Sequence, residues 1–213
     1  MQGYPLDNEF RDRIKEILRS QLAEGSAEEQ GGDLSLGPAN TLEPRVWNHG
    51  GKKSVRIPRS DWVWHTHPGT CDSKTKGCSL EVPSETDMAN AFDAGISNRQ
   101  KASIVFGHTQ TFVVGVRSEF VQWFRKSGLD IKASQKRLKR ALERYQKKPR
   151  VPKGTGPFYR KTSWHTGFKK GWPKFAASIR FKGRDGMEDS PHVFNIWVYN
   201  NKSGGQVYVP NLT

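Results

Sequence analysis

Apolar residues recur at three- and four-residue steps over 8–22, where Phe10, Ile14, Ile17, Leu18 and Leu22 form one stripe and Asp7 stands ready as an N-cap. This pattern predicts an amphipathic helix that needs a sheet to pack on. A first strand is expected over 28–37, interrupted by Gly31 and Gly32, which weaken a strand interior and signal a close approach by another backbone or a ligand. Val46-Trp47 and Ser54-Val55-Arg56-Ile57 read as short strands about the turn-forming Asn48-His49-Gly50-Gly51. Asp61 to His67 carries the strongest strand signal and reads as a buried central strand.

Gly69 to Val82 is a polar insertion. Pro83-Ser84 then opens a helix that runs to about Ser97, with Met88, Ala91, Phe92 and Ile96 on its buried side. Ala102–Phe106 and Thr111–Val116 are expected to form a hairpin across Gly107-His108-Thr109-Gln110. Helices follow over 119–126, ended by Gly128, and over 131–147, where Ile131, Leu138, Leu142 and Tyr145 share one side. Beyond Pro149 the stretch 151–173 reads as irregular chain, with Phe158, Tyr159, Trp164, Phe168 and Trp172 interleaved among cations. Val193–Tyr199 and Gln206–Val209 read as a closing pair of strands.

Composition sets bounds on this picture. The 213 residues are 34% hydrophobic and 11% aromatic, which is polar for a globular chain but too aromatic for wholesale disorder. No apolar run reaches the ~20 residues a bilayer span needs, and the N-terminus lacks a signal-peptide pattern, so the expectation is a soluble, cytoplasmic protein. Cys71 and Cys78 lie together in the polar insertion. They admit three readings: free thiols, a loop-closing disulfide, or part of a second metal site.

The net charge of +14 is concentrated in one region. From Arg117 to Lys182, 20 Lys and Arg stand against Glu119, Asp130 and Glu143, a balance of +17, whereas the rest carries 15 basic and 18 acidic residues. The helix at 131–147 and the residue after it hold Lys132, Lys136, Arg137, Lys139, Arg140, Arg144, Lys147 and Lys148, a candidate surface for nucleic acid or for an acidic assembly partner. The tail aromatics are candidates for stacking on bases.

Side chains alternate along a strand, so His65 and His67 leave the backbone on one face and aim two imidazoles at one point. Asp87, in the first turn of the following helix, supplies a carboxylate oxygen as the third donor, and three ligands with an open fourth position suit a catalytic Zn²⁺. The remaining histidines, His49, His108, His165 and His192, read as surface or packing residues, with His108 a candidate for supporting a ligand.

The set Glu29, His65-Thr66-His67-Pro68 and Ser84-Glu85-Thr86-Asp87 resembles the JAMM (MPN+) metallopeptidases, whose pattern is an upstream Glu, then His-x-His-Pro, then Ser-x-x-Asp. The resemblance covers about residues 8–146. It implies an α/β fold of MPN/JAMM-like (cytidine-deaminase-like) type, a curved mixed β-sheet flanked by helices, with 147–213 as a basic, strand-bearing C-terminal extension. It further implies that His65, His67 and Asp87 hold Zn²⁺, that Glu29 orients water and shuttles its proton, and that Ser84 steadies the tetrahedral intermediate. The reaction implied is hydrolysis of an amide bond in a polypeptide or ubiquitin-like substrate. The loop between Pro68 and Ser84 is longer than the family usually has. Sites of this form also look like those of large DNA viruses, which implies the alternative of a structural assembly protein in a virion or host cytoplasm, using its basic surface for protein or nucleic-acid contacts.

Overall fold

A computed structural model describes residues 3–24, 26, 28–51, 55–68, 82–147, 171–183 and 186–210. It is a mixed α/β structure built on a six-stranded sheet. The strands are β1 (Gly3–Pro5), β2 (Gln30–Leu36), β3 (Leu42–His49), β4 (Trp62–His67), β5 (Ala102–Gly107), β6 (Gln110–Val116), β7 (Phe194–Asn200) and β8 (Tyr208–Pro210). The helices are α1 (Asn8–Glu24), α2 (Glu85–Ile96), α3 (Ser118–Lys126) and α4 (Ile131–Lys147), with a further helix over 171–177.

The large sheet runs in the order β3-β2-β4-β5-β6-β7. Only the β4/β5 pair is parallel, joined by the crossover through α2, and the other pairs are antiparallel. Strand β4 lies inside the sheet and is buried along its whole length, as its unbroken run of large residues predicts.

Alternation divides the core between the two faces. Ile104, Phe106 and Val113 join Trp62, Trp64 and the α1 residues Phe10, Ile14 and Leu18 on one side. Val105, Phe112, Val114 and Val116 face Met88, Phe92, Phe120, Phe124, Leu138 and Leu142 of α2, α3 and α4 on the other. Asp7 caps α1, its Oδ2 accepting from Phe10 N at 2.8 Å. Leu22 is exposed, and the α1 stripe ends instead on buried Gln21, whose Nε2 donates to Glu28 O.

Both glycines of β2 serve close backbone contact. A Cβ on Gly31 would lie 2.8 Å from Trp64 O, and one on Gly32 only 1.8 Å from Val46 O. The approaching group is backbone at Gly32 and both backbone and the Val55 side chain at Gly31. Gly128, after α3, takes the left-handed φ of +62° that ends the helix.

Further expectations need correction. Val46 and Trp47 belong to a longer strand, β3, because β2 offers it a full antiparallel partner. Residues 55–57 form no strand; Val55 packs over Gly31 instead, and Ser54 lies outside the described residues. The irregular stretch expected up to Pro173 gives way to a helix at 171–177, in which Pro173 sits in the first described turn, where a missing N–H costs least. Trp172 is fully buried against Phe112, so it is not a surface for stacking bases; Phe158, Tyr159, Trp164 and Phe168 lie outside the described residues.

The C-terminal strands do not pair with each other. Strand β7 extends the large sheet beside β6, and β8 pairs antiparallel with β1 in a two-stranded sheet. Phe181, Val193 and Phe194 are buried in the core on the α2 side, and Val207 and Val209 on the α1 side.

Candidate metal centre

Three elements converge at one end of β4. His65 and His67 project from the α2 face, two residues apart on the strand, with ring centroids 4.9 Å apart. Asp87 arrives from the N-terminus of α2. Ser84 is the N-cap, its Oγ accepting from Asp87 N at 3.1 Å, while Asp87 Oδ2 accepts from Ser84 N at 2.7 Å. This reciprocal capping box satisfies two helix-end donors and also fixes the carboxylate of Asp87 over β4. The Ser-x-x-Asp spacing therefore has a folding role of its own.

His65 Nε2 lies 3.3 Å from Asp87 Oδ1, and His67 Nε2 lies 3.3 Å from Asp87 Oδ2. Ligand atoms of the three residues all lie within 4.8 Å of one another, the one such group of metal-competent side chains among the described residues. His67 Nδ1 sits 2.8 Å from Val82 O, so the protonated Nδ1 donates to that carbonyl and leaves Nε2 with a free lone pair. His65 is 2% exposed; its Nδ1 has no hydrogen-bond partner, and its Nε2 faces the Asp87 carboxylate without forming a well-aligned hydrogen bond.

That orphaned, buried imidazole tests whether a metal fits. Leaving an imidazole desolvated without a well-formed hydrogen bond is costly, and a cation at the focus of the three side chains removes that cost for the coordinating nitrogen. Ligand bonds of about 2.0–2.2 Å in a tetrahedral shell set neighbouring donors about 3.3–3.6 Å apart, which the two imidazole-to-carboxylate distances match. Two nitrogens and one oxygen form a borderline-soft set suited to zinc. The residues present fit the group.

Electrostatics concentrate on the same spot. Burial alone would lower His67, but the Asp87 carboxylate, Glu29 and the Val82 carbonyl outweigh it and raise its pKa above the usual histidine range. Burial acts to raise Asp87, yet the two imidazoles hold it well below the usual carboxylate range. Glu29 is raised by burial, in part offset by His67 and His65.

Glu29 immediately precedes β2 and brings Oε1 to 3.9 Å from His67 Nε2, with its side chain 14% exposed. Its neighbour Glu28 is exposed. Backbone bonds from Glu29 N to Gly51 O and from Gly50 N to Glu29 O pin this residue. Thr66, between the two histidines, faces the opposite way and accepts from Gln30 N through Oγ1 at 2.8 Å. Sequence reasoning missed Thr66 and Val82. Alternation alone placed Thr66 off the histidine face, while a backbone carbonyl leaves no trace in residue identity.

Of the basic residues singled out, Lys132, Lys136, Arg137, Arg140 and Arg144 are exposed on α4, and Lys139 is half-buried, its Nζ donating to Thr86 Oγ1 at 3.0 Å. The backbone of Lys147 ends α4; its side chain and Lys148 lie outside the described residues, as do Cys71, Cys78 and His165. His49 is exposed at the end of β3, and His108 and His192 are half-buried. No helix among the described residues is long and apolar enough to cross a membrane. In comparisons with known proteins, no family model matches the chain and no curated protein matches it.

Proposed function

We propose that the chain is a zinc-dependent peptidase or isopeptidase of JAMM type, hydrolysing an amide bond in a polypeptide or ubiquitin-like substrate. The observation that carries this reading is the convergence of His65, His67 and Asp87 within 4.8 Å, with the carboxylate of Glu29 beside them. A zinc ion held by these three ligands supplies Lewis-acid polarisation of a carbonyl and a lowered pKa for water.

The chain's own residues perform the remaining work. Glu29, with its pKa raised by burial, is poised to take a proton from the attacking water and return it to the departing amine as the C–N bond breaks. The Ser84 oxygen accepts from Asp87 N, so its hydroxyl proton stays available for the oxygen on which charge develops. Val82 holds His67 in the tautomer that presents Nε2, and the capping box holds Asp87.

Glu29→Gln separates the reaction from the fold. The variant is expected to keep its zinc and to lose about 10²–10⁴-fold in the rate of cleaving lysine-linked ubiquitin chains or peptide libraries. Wild-type cleavage rates in Glu29→Gln would overturn the assignment.

A further inference from the structure

Leu138 and Leu142 turn one side of α4 into the core, and Ser134 is buried with them. The opposite side carries Lys132, Lys136, Arg140 and Arg144 at successive four-residue steps, with Arg137 alongside, all exposed. Four-residue steps place these charges on one row, about 6 Å apart along the axis and about 18 Å from end to end. Lys136, Arg137, Arg140 and Arg144, with Ala133 and Ala141, line a surface groove of about 510 Å³.

Like charges four residues apart repel and weaken a helix, and this row repeats that spacing three times. Among the described residues no carboxylate forms an ion pair with any of the five cations. The one acidic residue within α4, Glu143, does not interrupt the row. The helix thus holds an unneutralised line of charge at a cost to itself, and a polyanion laid along it offsets that cost.

We infer that this face of α4 is a sequence-independent binding site for the sugar–phosphate backbone of nucleic acid. Protein interfaces centre on apolar and aromatic anchors and are depleted in lysine, whereas among the described residues the apolar side chains lining this groove are two alanines. Insertion into a lipid surface needs an exposed apolar face, and that of α4 is buried in the core. Three of the five exposed cations are arginines, whose planar forks pair two-fold with phosphate oxygens. Repeated charge without base-reading groups suits the phosphate backbone and implies little preference for sequence.

The test uses the full chain, metal-free and metal-loaded, and fluorescence anisotropy with a mixed-sequence duplex and single strand of about 20 units over about 50–200 mM salt. Binding is expected in both metal states, which keeps this inference separate from the peptidase reading. Neutralising three contacts in Lys136→Gln/Arg140→Gln/Arg144→Gln is expected to flatten the plot of log K against log salt by about 2.7 for duplex or about 2.1 for single strand. These residues are exposed, so the unfolding midpoint of the variant should not fall. An unchanged slope would overturn the inference. So would displacement of the nucleic acid by polyglutamate or phosphatidylserine vesicles at equal charge concentration, which would assign the surface to an acidic polypeptide or to lipid.

Discussion

Trp62, Trp64 and Thr66 leave β4 toward α1, whereas Val63, His65 and His67 leave it toward α2, and the two sets meet opposite environments. On the α1 side Trp64 is enclosed by Phe10, Trp47 and Phe106 at ring-centroid distances of 5.0, 4.7 and 6.3 Å. Edge-to-face packing of this kind stabilises and immobilises a strand. On the α2 side the same strand buries two imidazoles beside two carboxylates, and His65 makes no well-aligned hydrogen bond. Both faces bury nitrogens without a well-formed hydrogen bond, Nε1 of Trp62 and Trp64 on one and those of His65 on the other, but the aromatic face offsets this with packing. A site whose ligands must hold position to within a fraction of an ångström gains from standing on the back of an aromatic cluster.

Removing one face at a time sharpens this contrast. Trp64→Ala is expected to cost about 3–5 kcal/mol in denaturant unfolding, the usual loss for a buried tryptophan. His65→Ala removes an imidazole that packs little but faces the Asp87 carboxylate, so the metal-free protein should lose less than Trp64→Ala does, about 1–2 kcal/mol. Equal losses from the two substitutions would erase the distinction between the faces.

The seam between β2 and β4 comes next. A methyl group on Gly31 would press on Trp64 O and the side chains of Val55 and His65, so Gly31→Ala should destabilise by about 1–3 kcal/mol. Its signature is a combined loss, in stability by denaturant unfolding and in zinc affinity by titration, because Glu29 and His65 flank the same contact. The smallest effect is expected from Thr66→Val, which keeps the shape and leaves Gln30 N without its acceptor, at about 1 kcal/mol in unfolding. Faster hydrogen exchange at Gln30 would locate that loss.

Much of this arrangement was legible in the residues, for physical reasons. The two-residue step of His65 and His67 has a single geometric consequence on a strand, and the Ser84/Asp87 spacing is a capping signal that also fixes where the carboxylate goes. Helices α1, α2 and α4 each carry stripes long enough to read. What escaped depends on distant partners. Strand β1 is three residues, too short for a period, and exists because β8 pairs with it from the far end of the chain. Trp172 was placed among the cations near it in sequence, yet its environment is decided by Phe112 on β6. Stretch 55–57 has strand-forming residues but is not paired into the sheet, and Arg56 O accepts from Asn48 Nδ2 instead.

Zinc titration of the metal-depleted full chain, followed by calorimetry, tests the account most directly. Saturable zinc uptake is predicted for the wild type and for Glu29→Gln, with loss of that uptake in His65→Ala and in Asp87→Asn, a substitution whose side-chain oxygen can still accept from Ser84 N. Zinc uptake unchanged by His65→Ala and Asp87→Asn, or no uptake by the wild type, would contradict it.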